Sequence, residues 1–567
     1  MERVETLYNQ WLEKAKDDSD LVQDLNCMTE NDEEKNDAFY KDLEFGTAGL
    51  RGVLGAGTNR MNIYTVAKAS QGLAKHILKN FPEGKRSIAI SYDSRIKSEL
   101  FAQTAASVFA ANGIKVHIYR QLMPVPCLSF AVRELKCSAG IMITASHNPA
   151  KYNGYKVYGS DGCQITSEAA DSILAEIQLV DTFTGVKKTD FRQGIENKTI
   201  EYIGDDIETK FVERVKKESM LPDDADISKD VAIVYSPLNG SGLVPILRVL
   251  RETGYTNVTV VKEQENPDGN FPTCPYPNPE VHQAMKLGME YAQKNNADLL
   301  LATDPDCDRV GIAVKNQEGE YTLLTGNQTG VLLFDYICAM AKKNGTMPKN
   351  PVLVKTIVTT DLADRIADSY GVKTVNVLTG FKYIGEQIAL LESEGKEDSF
   401  VFGFEESYGY LSGSYVRDKD GVGAAFLICE MFTYYKSLGK SLLERLEEIY
   451  NTYGSTINSL YSFTFEGAKG AQKMAEIMAD FKNDITSFGR VKVISTVDYN
   501  KGIDGLPKAN IIKFILEGNN SVIVRPSGTE PKIKVYLTVC GEGREAALKM
   551  EEYIAQQVKG LLEYAEK

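Results

Sequence analysis

Ala139-Gly140-Ile141-Met142-Ile143 runs straight into Thr144-Ala145-Ser146-His147-Asn148-Pro149, and then into Lys151-Tyr152-Asn153-Gly154-Tyr155-Lys156. An apolar stretch that ends in a polar turn has the pattern of a buried strand stopping at the edge of an open sheet. In α/β proteins that edge, at the carboxyl ends of the strands, is where ligands bind. The turn presents one hydroxyl, on Ser146, with His147 beside it and Lys156 further on. Both neighbours can manage a proton. Taken alone, Ser-His-Asn-Pro is also what an ordinary turn contains, so its weight comes from the rest of the chain.

Outward from that run the sequence alternates strands and helices. A helical pattern starts near Tyr64, and strands are predicted at Ser87–Tyr92, Ile114–Tyr119 and Gly140–Thr144. Such alternation implies βαβ units and a largely parallel sheet. After a charged passage at Glu196–Asp230 a second series follows, with strands at Val231–Tyr235, Val258–Val261 and Leu299–Ala302. Its turn and helix start is Asn239-Gly240-Ser241-Gly242. A third series has helix Thr329–Lys343, strand Val352–Ile357, helix Asp361–Tyr370 and strands Thr374–Val377 and Phe400–Phe402. The shared punctuation of short apolar strand, polar loop and helix predicts three structurally similar α/β domains with mixed sheets. The end of the chain differs: Ile511–Leu516 and Ser521–Val524 flank a hairpin turn, and strand Ile533–Val539 and helix Arg544–Tyr564 follow. That is a C-terminal α+β domain. The first forty or so residues, with the single tryptophan Trp11, read as a helical cap. At about 100–200 residues per domain, four domains around a central cleft are expected, with limits at 1–205, 206–320, 321–455 and 456–567.

Composition narrows the function. The 567 residues are 43% hydrophobic and 25% charged, an ordinary balance that can bury large cores. No run of about 18 apolar residues and no basic-then-apolar start is present, so neither a membrane span nor a secretory signal is predicted. The nine cysteines are scattered without a CxxC pair, which fits reduced thiols and a cytoplasmic location. A net charge of −14 argues against a nucleic-acid partner. An anionic small molecule would need a local concentration of Arg, Lys and backbone N–H groups.

Three further loops supply it. Asp304-Pro305-Asp306-Cys307-Asp308-Arg309 directly follows the apolar run Leu299–Ala302. Carboxylates at alternating positions repel unless they converge on a cation. Oxygen ligands favour magnesium over zinc, and magnesium is the usual partner of phosphate. An EF-hand is excluded, since Arg309 and Lys315 stand at the sixth and twelfth positions from Asp304, where Gly and Glu are needed. Cys307 reads as a neutral spacer. Gly403-Phe404-Glu405-Glu406-Ser407-Tyr408-Gly409 follows the strand at Phe400–Phe402, and Arg417 and Lys419 lie close enough in sequence to reach the same ligand. Arg525-Pro526-Ser527-Gly528-Thr529-Glu530-Pro531-Lys532 combines an Arg fork, two hydroxyls and small residues, a plausible phosphate nest.

These four loops, in this order, resemble those of the α-D-phosphohexomutases, the phosphoglucomutase and phosphomannomutase superfamily. The resemblance spans Gly46 to Lys532 and is strongest to its larger glucomutase and pentomutase branch. It implies that Ser146 carries a phosphoryl group and joins Asp304, Asp306 and Asp308 around Mg2+, with Arg309 adding positive charge. Gly46-Thr47-Ala48-Gly49-Leu50-Arg51-Gly52 resembles the N-terminal loop, where Arg51 would face the reacting phosphoryl group. Leu378-Thr379-Gly380-Phe381-Lys382 is similar to the third domain's ligand loop, giving Thr379, Gly380 and Lys382 as substrate contacts. Glu405 and Ser407 would read sugar hydroxyls, and Arg525, Ser527, Gly528, Thr529 and Lys532 would hold the distal phosphate. Several phosphomannomutases carry His two residues after the sugar-loop Ser; here that position is Gly409, which weakens a mannose preference.

The resemblance implies interconversion of α-D-glucose 1-phosphate and glucose 6-phosphate, with glucose 1,6-bisphosphate as intermediate and activator. His147 or Lys156 would move the proton. Phosphopentomutase and phosphomannomutase activities share every loop but the sugar reader. A sugar-phosphate sensor is the non-enzymatic alternative, set against the intact Ser146, aspartates and Lys156. The sequence does not set the oligomeric state, monomer or dimer.

Overall fold

The computed structural model describes residues 2–46, 49–222, 225–465, 467–483, 485–503, 505–527 and 532–564, with the backbone alone at 467–469, 471, 563 and 564. The first sheet is built from Phe45–Gly46 (β1), Gly49–Val53 (β2), Ser87–Tyr92 (β3), Lys115–Ile118 (β4), Ala139–Ile143 (β5), Tyr152–Gly159 (β6) and Ile200–Tyr202 (β7), in the order β1-β2-β6-β5-β3-β4-β7. The second holds Ile233–Ser236 (β8), Val258–Val260 (β9), Leu299–Thr303 (β10), Val310–Lys315 (β11) and Tyr321–Leu324 (β12), in the order β12-β11-β10-β8-β9. The third holds Val352–Thr356 (β13), Lys373–Val377 (β14), Phe400–Glu405 (β15) and Gly409–Ser412 (β16), in the order β14-β13-β15-β16.

One unit recurs in all three. Strands β4-β3-β5-β6, β9-β8-β10-β11 and β14-β13-β15-β16 each place three parallel strands side by side, then an antiparallel fourth joined directly to the third. Parallel neighbours need crossovers, and helices supply them. Ser98–Ala111 and Val125–Glu134 serve the first unit, Leu243–Glu252 and His282–Lys294 the second, Leu362–Tyr370 and Phe381–Ser393 the third. Every residue of β5 and β10 is buried, which is why these strands read as plain apolar runs. The repeat is structural, as the punctuation predicts.

Some elements are not foreseen. Strand β6 is diluted by Asn153, Gly154 and Gly159, and it is held as a strand by pairing with both β5 and β2. Strand β12 pairs with β11 and completes the second sheet. The expected limit at residue 320 would sever it, so we propose that the second domain runs to Leu324.

The N-terminal helices Glu2–Lys14, Ser19–Cys27 and Asp32–Phe39 form a cap docked on the first domain. Trp11 is 1% exposed and meets Phe39, Tyr64 and Phe183 edge-on at 5.5–5.8 Å. The last domain has an antiparallel sheet of Ser455–Thr464 (β17), Ser487–Phe488 (β18), Val491–Asp498 (β19), Ile512–Leu516 (β20), Asn520–Pro526 (β21) and Lys532–Gly541 (β22). Ile533, Val535, Leu537 and Val539 alternate along β22 and bury one sheet face under helices Gly467–Asp480 and Arg544–Tyr564. Ile523 and Tyr536 point the other way and pack with Ile357, Val358 and Leu378 of the third domain. The Lys513–Asp361 ion pair (3.4 Å) and the Arg365–Thr456 hydrogen bond (2.6 Å) join the same two domains. No helix among the described residues is long and apolar enough to cross a membrane.

Candidate active site

Ser146 sits in the turn between β5 and β6, where the chain reverses direction. Its backbone is left-handed, φ 51°, and its side chain is buried. The turn is held from below. Arg95 donates through Nη2 to the carbonyls of Ser146 and Asn148, and through Nη1 to those of Pro149 and Tyr152 at 3.0 Å each. Thr144 Oγ1 accepts the Ser146 N–H (2.8 Å) and donates to Asp93 (2.6 Å). The Ser146 hydroxyl is thereby fixed 2.9 Å from Asp304 Oδ2 and 3.2 Å from His147 Nδ1. Burial, with Arg309 and Arg51 nearby, holds the His147 pKa well below the usual range, so the ring is neutral.

Asp304, Asp306 and Asp308 lie in the turn between β10 and β11, with ligand oxygens within 4.8 Å of one another and all three residues buried. Burial and the neighbouring Asp306 and Asp308 push the Asp304 carboxyl far up. Lys156 on β6 reaches Asp306 at 2.8 Å and Asp308 at 3.4 Å, while Lys419 meets Asp308 at 3.2 Å. Burial opposes ionisation of Asp308, but Lys419, Lys156 and Arg309 outweigh it and hold this carboxylate charged. Lys156 stays protonated for the same reason: Asp306 and Asp308 outweigh its burial. Asp306 Oδ1 and Asp308 Oδ1 are nonetheless buried without a hydrogen-bond partner. Three converging carboxylates with two orphaned oxygens suit a hard divalent cation, so the donor set fits magnesium.

Strand β15 ends on Glu405, and the turn into β16 carries Glu406 and Ser407, with Tyr408 left-handed at φ 66°. Glu405 accepts the Gly380 N–H at 2.8 Å. The Val310 N–H donates to the Tyr408 carbonyl at 3.1 Å, which ties this turn to the aspartate turn. A Cβ at Gly409 would run into the Lys419 stem. Glycine there lets Lys419 pass to Asp308. In the last domain the Ser527 N–H bonds the Lys532 carbonyl at 2.7 Å, closing the base of the loop after Arg525.

All of these turns face one cleft of about 780 Å³, within the range of small-molecule sites. Arg51, Lys156, Arg309, Lys419, Arg525 and Lys534 line it, so the local cationic concentration exists despite the acidic whole. Ser146, His147, Thr379, Gly380, Glu405 and Ser407 share the same walls. Thr379 Oγ1 is buried there without a partner.

Four segments of the chain match, in order, the four domain models of one family: phosphoglucomutase/phosphomannomutase alpha/beta/alpha domains I (42–182), II (209–319) and III (325–453) and the C-terminal domain (465–555). The chain belongs to the phosphoglucomutase/phosphomannomutase family. A phosphoglucomutase of Staphylococcus saprophyticus is 37% identical over 543 residues, covering 93% of this chain and 96% of its own. One of Staphylococcus aureus is 34% identical over 559 residues, covering 96% and 98%. Among solved structures, the Paramecium phosphoprotein pp63/parafusin, a phosphoglucomutase, superimposes with a TM-score of 0.67 at 18% identity, covering 93% of this chain and 97% of its own. That likeness concerns the fold.

Not every expected residue of this family member reaches the cleft. Arg417 is a correction: its side chain is fully buried away from the cleft, bound to the carbonyls of Ser414 and Val416 and to Glu392 at 2.8 Å. It holds the segment that presents Lys419. Lys382 is half-buried, with its ammonium 5.0 Å from the Tyr383 ring centroid and its carbonyl accepting the Cys163 thiol. Gly528 and Thr529 lie outside the described residues. Conversely, Asp93, Arg95 and Glu280 belong to the site and were not foreseen. Asp93 and Arg95 follow the end of β3, the same sheet edge that the serine turn occupies, and that position was the available signal.

Proposed function

We propose that the chain is a magnesium-dependent phosphoglucomutase acting on α-D-glucose 1-phosphate and glucose 6-phosphate. The observation that carries this reading is the Ser146 hydroxyl, fixed against Asp304 of the carboxylate cluster and open to a cationic cleft. Its nearly full-length relatives named phosphoglucomutase support the hexose. In the forward step the free hydroxyl of the sugar monophosphate attacks the phosphorus of phosphorylated Ser146. A sugar O–P bond forms, the Ser146 Oγ–P bond breaks, and glucose 1,6-bisphosphate results. After reorientation its other phosphate returns to Ser146.

Asp304, Asp306, Asp308 and Ser146 would hold the cation, which when bound neutralises charge on the transferring phosphoryl oxygens. Arg51 and Arg309 add donors on the cleft side. Of the two proton carriers, His147 enters neutral and Lys156 enters protonated, so His147 is the one ready to accept the hydroxyl proton. Arg525 and Ser527 would grip the idle phosphate, and Glu405 and Ser407 the sugar. Closure of the four domains around the cleft would exclude water that hydrolyses phosphoserine.

The test is initial rate on glucose 1-phosphate, ribose 1-phosphate and mannose 1-phosphate with magnesium and trace glucose 1,6-bisphosphate, with Ser146→Ala beside the wild type. Glucose preference lost in the variant, and a phosphate on Ser146 by intact mass, are expected. Preference for the pentose would overturn the substrate, and turnover without phosphoserine would overturn the mechanism.

A further inference from the structure

Lys156 and Lys419 already bind the Oδ2 atoms of Asp306 and Asp308, and Arg309 is the cationic side chain that stands beside the orphaned Asp308 Oδ1. The Arg309 backbone N–H already donates to Asp304 Oδ1 at 3.1 Å. Its Nε lies 3.7 Å from Asp308 Oδ1 and 4.0 Å from Asp304 Oδ2, and this Nε is buried without a hydrogen-bond partner. A modest rotation would let the guanidinium satisfy itself on the carboxylates. Each N–H so bonded takes a ligand oxygen and leaves a positive charge where the cation belongs.

What opposes that rotation is Glu280, which binds Arg309 Nη1 from the far side. Glu280 comes from the segment between β9 and helix His282–Lys294, outside the aspartate turn, and it is held in place independently. The Asn278 side chain accepts the Glu280 N–H at 3.1 Å, and the Asn278 carbonyl accepts the Val281 N–H at 2.9 Å. Pro279 lies directly on β11, where a Cβ at Gly311 would come within 2.8 Å of the proline ring. Gly311 is thus the residue that lets the segment approach closely enough for Glu280 to reach Arg309.

We infer that Glu280 is a positioning residue, anchoring Arg309 toward the cleft and so keeping its guanidinium off Asp304 and Asp308. The inference rests on the reading of the aspartates as a cation site. It predicts that Glu280 sets cation affinity through Arg309, without touching the cation.

The experiment measures Mn2+ binding to the purified full chain, by isothermal calorimetry or by electron paramagnetic resonance of free Mn2+, with no substrate present. Glu280→Ala should bind Mn2+ about tenfold more weakly, the lower end for loss of a group supporting a metal site. Glu280→Gln, which keeps an acceptor for Nη1, should stay within about twofold of wild type. In an Arg309→Ala background, adding Glu280→Ala should change affinity by less than about twofold, because the two act as one unit. Unaltered affinity in Glu280→Ala would overturn the inference. So would an equal loss in the Arg309→Ala background, which would mean that Glu280 acts by its own charge. If the wild type takes up no stoichiometric Mn2+, the cation reading falls and the inference with it. Far-UV circular dichroism of each variant identifies any affinity loss that comes from unfolding, and Glu280→Gln, which keeps the acceptor, supplies the comparison for a variant that does not fold.

Discussion

Arg95→Met is the substitution that tests how the serine turn is held. The Arg95 side chain is completely buried, and its five-point role is explicit: four carbonyls of the turn and Asp93, whose Oδ2 lies 3.3 Å from Nε. Methionine matches the stem but returns none of these bonds. Removing one partner of a buried pair costs about 3–5 kcal/mol, since the stranded charge stays buried. At roughly 2–4 °C per kcal/mol for a domain of this size, the first-domain transition should fall by roughly 6–20 °C. Part of that cost is the abandoned Asp93, so Asp93→Asn combined with Arg95→Met should recover a share of it. The kinetic consequence is separate. With Ser146 O and Asn148 O unanchored, the hydroxyl drifts, and a displacement near 1 Å costs about 100-fold in rate. kcat should fall far more than KM rises, because the groups proposed to grip the sugar and the idle phosphate, Glu405, Ser407, Arg525 and Ser527, lie on other domains. The assay is differential scanning calorimetry of the two variants and wild type, followed by steady-state kinetics on glucose 1-phosphate. A melting transition within about 2 °C of wild type, with kcat within about threefold, would refute the claim that Arg95 builds the turn.

Two further outcomes follow from other parts of the fold. Glu218, beside Ser412 at the junction of the second and third domains, has its carboxyl pushed from 4.5 up to about 7, chiefly by burial. A raised carboxyl favours the neutral form in the folded state, so this group's contribution falls as pH rises from the unfolded value through the folded one. Glu218→Gln should therefore match wild type near about pH 5 and be more stable near about pH 8, by up to about 3 kcal/mol; an equal difference in melting temperature at both pH values would contradict this. Trp11→Ala should cost about 3–5 kcal/mol of cap docking, because the ring is 1% exposed among Phe39, Tyr64 and Phe183. Hydrogen exchange should rise across helices Glu2–Lys14 and Asp32–Phe39 ahead of the sheet, and unchanged exchange there would show that Trp11 does not hold the cap.

What the sequence reveals here depends on where a residue's partners lie. The loops at Ser146, Asp304–Asp308 and Arg525 are contiguous runs of unusual composition after buried strands, so each stands out in the sequence. Arg95 is hidden, because Asp93-Ser94-Arg95 is an ordinary polar turn until the fold brings it under residues more than fifty positions away. Glu280 is hidden in the same way: nothing local distinguishes it from any exposed acid beside a proline. Arg417 errs in the opposite direction. Its nearness to Glu405 in sequence suggests a ligand, yet Glu392 and the Ser414 carbonyl, local in space, claim its guanidinium. Strand β12 escapes because Tyr321–Leu324 is a short edge strand whose identity comes from pairing with β11.

The repeated unit explains why chemistry so different converges on one cleft. In each α/β domain the third parallel strand must turn back at once into an antiparallel fourth, and that reversal lies at the carboxyl edge of the sheet, the ligand-binding edge. All three reversals place a non-glycine residue in left-handed backbone: Ser146 at φ 51°, Cys307 at φ 50° and Tyr408 at φ 66°. Such a conformation costs of order 1 kcal/mol at each position and persists only where the surroundings over-determine it. Here the turns are over-determined by one another and by the start of helix Gly421–Ser437. Ser146 bonds Asp304, Val310 bonds the Tyr408 carbonyl, and Gly421 bonds the Cys307 carbonyl at 3.2 Å. Cys307 therefore needs no chemistry of its own: buried and left-handed, it turns the backbone within the loop that carries the three converging aspartates, of which Asp304 meets the serine. A hydroxyl, a trio of carboxylates and a cleft-lining glutamate become one site because three copies of the same turn are packed against each other, and each is specialised only in its side chains.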